Sequence, residues 1–295
     1  MDQAQSLREY MQRFQVQQEN SNHPSRVITI TSGKGGVGKS NFTLNFALGL
    51  KSAGKKVVVL DLDLTTANIN ILMGVTPKYN LTHVLNERKN IWDVLETGTG
   101  GIEYIAGGID IQDLLEIDQY ALKFFWSQIQ ELQSYADFIL LDTGAGISKE
   151  LVDFILASDE TILVTTPEPT AIADSYSVLK TVIHYNKMPP NFRLVINRAQ
   201  SYKEAIETSR SLKNACSKFL KIHLNTLGFI MEDVHVRQSV RMQTPFLMSY
   251  PKCEASKNIT EIVRTYLPEV ELNTSSSSKG IRGFFEKIIS MGKSF

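Results

Sequence analysis

One stretch limits the fold more than any other. Gly33-Lys34-Gly35-Gly36-Val37-Gly38-Lys39-Ser40 follows the β-branched run Val27 to Thr31 and precedes the helical pattern Phe42 to Leu50. Glycines at Gly33, Gly35, Gly36 and Gly38 leave the backbone free to turn its N–H groups onto one point, and the helix behind them adds the partial positive charge of its N-terminus. A strand, a loop of this kind and a helix, in that order, form the setting of a phosphate-binding loop rather than of an ordinary turn. There Lys39 pairs with β and γ phosphates and Ser40 ligates Mg²⁺.

The rest of the chain supplies the sheet that such a loop needs. The runs Lys56 to Leu60, Phe138 to Leu141, Thr161 to Thr165, Leu194 to Ile196 and Thr226 to Ile230 are separated by helical stretches. Alternation of this type predicts an α/β fold with a doubly wound, mostly parallel sheet and helices on both faces. Two of these strands end in carboxylates, Asp61 with Asp63 and Asp142, at the edge where open α/β sheets bind ligands. A single Asp at such a place also serves as a helix cap. Three of them beside a phosphate loop point to a metal-assisted nucleotide site. With 295 residues, 33.1 kDa and 42% hydrophobic content, the chain can bury a full core. Its formal net charge of zero offers no global field for nucleic acid, so no nucleic acid partner is expected. Cys216 and Cys253 are too few for a disulfide framework or a cysteine-only metal centre, and the composition fits a reducing cytoplasm.

The pattern divides the chain into residues 1–20, a linker 21–25, the α/β domain 26–270 ending near Pro268, a Ser-rich tether 271–279 and a last segment 280–295. Residues 1–20 place Ala4, Leu7, Met11 and Phe14 at helical spacing. In the last segment Ile281, Phe284, Phe285, Ile288, Ile289 and Phe295 share one helical face, and with Lys279 just before it the tail holds Lys279, Arg282, Lys287 and Lys293 against Glu286. The tail carries +3, the first twenty residues −1 and the body −2. An apolar face joined to concentrated basic charge is the profile of a helix lying on an anionic membrane surface. The alternative is a helix docked in an apolar groove of its own domain, and both hold if they belong to different nucleotide states. No run of eighteen apolar residues occurs, and the polar N-terminus lacks the stretch of a signal peptide.

The second lysine Lys34 and the paired glycines make the loop resemble the deviant phosphate loop of MinD/ParA-type ATPases, and Asp61-Leu62-Asp63 and Asp142-Thr143-Gly144-Ala145-Gly146 resemble their two other motifs. The resemblance spans about Arg26 to Leu267. It implies ATP and Mg²⁺ as cofactors, with Gly33, Gly35, Gly36, Val37, Gly38, Lys39 and Ser40 on the nucleotide and Ser40, Asp142 and Asp61 around the metal. It implies an ATP-bound homodimer in which Lys34 enters the partner's site, while Asp63 orients the attacking water and Lys39 binds phosphate. Asn197 stands where that family reads the adenine edge, although an Asn after a strand is also a plain turn former. Gly228 to Asp233 resembles the second base-proximal loop, with Met231 where a proline is common, and Thr65 replaces a customary glycine in the switch loop.

Within that family, Asp2-Gln3-Ala4-Gln5-Ser6-Leu7-Arg8 looks like the opening element of the FlhG group, also called FleN or YlxH, the MinD-like ATPases of flagellar number and placement. That likeness implies an activator helix acting on the GTPase FlhF through Gln3, Leu7 and Arg8, peripheral attachment to the inner face of the cell membrane, and flagellar C-ring proteins as further partners. The alternative for residues 1–20 is packing on the chain's own domain. The rival function is MinD-type division-site placement, which shares the ATPase and the membrane tail but not the N-terminal element. A P-loop kinase or ligase would need a substrate motif that is not seen, and an electron-transfer iron protein would need cysteines ahead of Cys216. A ParA-type DNA segregation protein would need a basic surface, which the −2 body does not offer.

Overall fold

The computed structural model describes residues 25–63, 68–86, 89–107, 119–185, 190–272 and 280–292. The expected N-terminal helix with Gln3, Leu7 and Arg8, the switch position Thr65, residues 273–279 of the tether, and Lys293 and Phe295 lie outside them.

In chain order the elements are β1 (Arg26–Ser32), α1 (Lys39–Ser52), β2 (Val57–Asp61), α2 (Ile69–Met73), α3 (Leu81–Leu85), α4 (Ile91–Val94), β3 (Glu96–Thr97), β4 (Glu103–Ile105), α5 (Gln119–Tyr135) and β5 (Phe138–Ala145). After these come α6 (Lys149–Ala157), β6 (Glu160–Thr165), α7 (Pro169–Tyr185), β7 (Phe192–Ala199), α8 (Tyr202–Ala215), β8 (Asn225–Met231), α9 (Val234–Arg241), α10 (Phe246–Ser249), α11 (Glu254–Leu272) and α12 (Gly280–Gly292). The strands form one sheet in the order β3-β4-β2-β5-β1-β6-β7-β8, parallel except for the β3–β4 pair. The doubly wound expectation therefore holds.

Alternation along the strands sorts the core into two layers. Ile28, Ile30, Val57, Val59, Phe138 and Leu140 face α1 and α11, meeting Phe42, Phe46, Ile259 and Tyr266. Their neighbours Val27, Val58, Leu60, Ile139 and Leu141 face the opposite layer, with Phe125, Ile129 and Phe154. Because both faces are covered, β2 is buried along its whole length and β1 from its second residue on. β1 lies between β5 and β6, so the strand order reverses there and a crevice opens at its carboxyl end, where the phosphate loop begins.

Two expectations change on contact with the structure. α11 runs through Pro268 to Leu272 instead of ending there, with the proline on an exposed face of the helix. The other concerns α12, whose face Ile281, Phe284, Phe285, Ile288 and Ile289 is buried against the domain rather than turned outward. Phe285 meets Phe125 edge-on at 5.2 Å between ring centres, and Phe284 stacks on Phe154 at 5.9 Å. Polar contacts frame the seat: the Arg282 backbone N–H donates to Gln133 Oε1 at 3.0 Å, the Arg282 guanidinium to Gln130 Oε1 at 3.1 Å, and Lys287 Nζ to the Ala157 carbonyl at 3.3 Å. Each large apolar side chain withdrawn from water this way is worth roughly 1.5–3 kcal/mol, so the groove between α5 and α6 is a real competitor for a face that lipid would also take.

Candidate functional site

The loop from Gly33 to Gly38 reaches its shape through glycines at positive φ, +80° at Gly36 and +90° at Gly38. Gly38 also has no room for a side chain, since a Cβ there would strike the amide of Asn197. Around Gly35 and Gly36 the space is open, leaving their backbone free to meet a ligand. Lys39 then opens α1 and is almost fully buried.

Sheet register brings the carboxylates together. Asp61 and Asp142 are paired neighbours at the carboxyl ends of β2 and β5, and both are buried. Lys39 Nζ lies 3.0 Å from Asp142 Oδ1 and 3.3 Å from Ser40 Oγ. Thr43 Oγ1, one turn into α1, lies 2.7 Å from the same Asp142 oxygen. The other oxygen, Asp142 Oδ2, is buried without a hydrogen-bond partner among the described residues. A buried carboxylate oxygen left unmatched beside a lysine and a serine hydroxyl suits a hard cation with its phosphate ligand, so the residues fit Mg²⁺-ATP.

Asp61 does different work from its partner. Its Oδ1 accepts the Asp63 backbone N–H at 3.1 Å, and its Oδ2 accepts those of Asn68 and Ile69 at 3.0 and 3.2 Å. It thus ties down both ends of the switch loop, a role hidden in the sequence, and each of its oxygens is already engaged. Burial, and after it the charge of Asp142, push its carboxyl up to about 6, against the pull of those N–H groups and Lys39. Asp63 sits at the loop's start, where Oδ2 accepts from Asn68 Nδ2 at 3.3 Å.

Lys34 turns away from its own loop. Its Nζ donates to Glu168 Oε2 at 3.0 Å and to Thr170 Oγ1 at 2.9 Å, at the start of α7, and its side chain is 39% exposed. Beside the loop, a cavity of about 430 Å³ is lined by Gly38, Phe42, Asn197, Met231, Val236 and Phe246 among others. Asn197 borders it, with its amide engaged: Nδ2 donates to the Val37 carbonyl at 2.8 Å, and Oδ1 accepts the Arg198 backbone N–H at 3.0 Å. The loop Gly228 to Asp233 forms part of the rim through Met231, Glu232 and Asp233. Sequence reasoning missed the apolar walls Phe42, Val236 and Phe246, and Arg198, which holds φ +59° and pairs with Glu232 at 3.0 Å.

Residues 23–267 match the family described as ParA, NUBPL iron-transfer P-loop NTPase. The chain is 34% identical over 241 residues to the Antiactivator FleN of Pseudomonas aeruginosa, covering 82% of this chain and 86% of that protein. It is 32% identical over 268 residues to the Flagellum site-determining protein YlxH of Helicobacter pylori, covering 90% of each. Among solved structures, the cell division ATPase MinD of Pyrococcus furiosus superposes with a TM-score of 0.65 at 26% identity, covering 84% of this chain and 99% of that one.

Proposed function

The chain belongs to the ParA family of P-loop NTPases and is an ATPase of the MinD type; from that premise we propose that it is an ATP-dependent dimerising switch that controls flagellar number and placement. The observation that carries the dimeric reading is Lys34. A lysine of the phosphate loop that points out to Glu168 and Thr170, at an exposed rim, serves a second subunit better than its own. In the proposed mechanism the loop N–H groups and Lys39 bind the phosphates, while Ser40 and Asp142 hold Mg²⁺ with Asp61 behind them. The bound ion supplies charge neutralisation for the phosphoryl group being transferred. Asp63 orients the attacking water, Lys34 of one subunit enters the other's site, and Asn197 with the cavity beside it takes the adenine.

The test separates binding from turnover. Asp63→Ala keeps the phosphate cradle and is expected to accumulate as an ATP-bound dimer in size-exclusion chromatography, whereas Lys39→Gln loses nucleotide. Lys34→Ala is expected to slow hydrolysis by roughly 10³-fold, the effect of removing a cation of arginine-finger type. A purely monomeric Asp63→Ala, or wild-type turnover by Lys34→Ala, overturns the mechanism.

The likeness to FleN and YlxH supports the flagellar assignment; stimulation of an FlhF-type GTPase through residues 1–20 and C-ring partners are proposed from the sequence element Asp2 to Arg8. Membrane attachment through Ile281, Phe284, Phe285, Ile288 and Ile289 requires α12 to leave its groove, so we assign lipid binding to the ATP dimer, where two released helices act together. One paired experiment addresses both ends of the chain. Removing residues 280–295 is expected to abolish ATP-dependent co-sedimentation with anionic liposomes, and removing residues 1–20 to abolish stimulation of an FlhF-type GTPase. If the second deletion leaves that GTPase unaffected, the reading moves to division-site placement.

A further inference from the structure

Away from the phosphate loop, three donor atoms of different chemistry converge where β8 hands over to α9. Asp233 caps two helices at once: Oδ1 accepts the His235 backbone N–H at 2.9 Å at the start of α9, and Oδ2 accepts that of Ala255 at 3.3 Å at the start of α11. The His235 ring folds back so that Nδ1 lies 2.7 Å from Oδ1, and it packs on Tyr250 at 4.6 Å between ring centres. Cys253, the residue before α11, places Sγ within 4.8 Å of the Asp233 carboxylate and 3.3 Å from Ser256 Oγ. The carboxylate oxygen, ring nitrogen and sulfur all lie within 4.8 Å of one another.

We propose that Asp233, His235 and Cys253 form a site for a Zn²⁺-like divalent cation, with water as the fourth ligand. An oxygen, a nitrogen and a sulfur gathered this closely suit zinc or cobalt, while the sulfur disfavours Mg²⁺ and Ca²⁺. The carboxylate is fixed in advance by two backbone N–H groups, which leave it lone pairs for a metal. When the cation enters, the neutral imidazole carries its proton on Nε2 instead of Nδ1, and the thiol proton leaves to solvent. The ion's two positive charges then match one carboxylate and one thiolate. The His235 side chain is 42% exposed, which gives the ion a way in. A filled site would fasten α9 to α11, and through Asp233 it would brace one wall of the cavity beside the phosphate loop.

The test uses the full chain, stripped with a chelator and free of nucleotide, titrated with Co²⁺ as a spectroscopic probe. Expected are tetrahedral d–d bands and a thiolate-to-cobalt charge-transfer band that saturate at one ion per chain, with release of one proton above neutral pH and displacement by Zn²⁺. Cys253→Ser removes the charge-transfer band, His235→Ala weakens binding by about tenfold or more, and Cys216→Ala keeps both. The circular dichroism of each variant establishes that it folds as the parent does. Cobalt held by Asp61 and Asp142 would give no thiolate band, so the two sites are told apart. Absence of saturable tetrahedral binding, or a charge-transfer band that survives Cys253→Ser, overturns the assignment.

Discussion

The two ends of the sheet treat buried charge in opposite ways. At the amino ends, Glu160 is enclosed by Arg26 at 3.1 Å, by Arg193, and by the Tyr266 hydroxyl at 2.7 Å, so both its oxygens are matched. At the carboxyl ends, Asp61 and Asp142 stand side by side with Lys39 nearby, and Asp142 Oδ2 has no partner among the described residues. A carboxylate with both oxygens matched helps to hold a fold together; one with an unmatched oxygen holds a place for something else. The same sheet thus stores stability at one end and ligand affinity at the other.

The sharpest way to break that contrast is to unbalance the satisfied end. Glu160→Ala strands the partly buried Arg26 guanidinium and leaves Arg193 with Glu269 alone, and is expected to cost about 3–5 kcal/mol in urea denaturation, with ATP-analogue affinity unchanged in the folded fraction. A comparable loss of nucleotide affinity would mean that the two ends are coupled. Next in size is the pH response of Asp61, whose carboxyl stands near 6 when folded against an ordinary 3.8. In that window the folded state binds the proton more readily, so this group's contribution is full below about pH 3.8 and is lost as pH rises toward 6. The expected difference between wild type and Asp61→Asn is about 2–3 kcal/mol across the window, read from denaturation at pH 4 and pH 6.5 without nucleotide. No difference in slope would mean that Asp61 is not strained. The smallest effect belongs to Tyr266→Phe, which removes one hydrogen bond to Glu160 but leaves both arginines. It should cost about 1–2 kcal/mol by the same assay, and a larger loss would make the tyrosine, not the guanidinium pair, the principal partner.

Legibility in the sequence follows the same division. Loop, strands and terminal carboxylates could be read because each is a local pattern: glycines spaced for a turn, β-branched runs, an Asp where a run stops. Glu160 could not be read, since its partners Arg26, Arg193 and Tyr266 come from three distant elements. The duty of Asp61 as anchor of the switch loop was hidden because its partners are backbone N–H groups, which carry no residue signature. Thr43 looked like an ordinary helix residue until register placed Asp142 beside it. Strands β3 and β4 were missed for a simpler reason: two and three residues are too few to show a period. For α12 the amphipathic face was plain, but a hydrophobic face does not say which apolar surface it meets.

The bond from Asn197 to the Val37 carbonyl, across 160 positions of sequence, has a consequence for how this chain can change over generations. Gly38 is closed to any side chain by the same asparagine, so the loop and the end of β7 restrict each other's substitutions. A larger residue at either position is tolerated only if the other yields first. The two positions are therefore expected to drift as a pair.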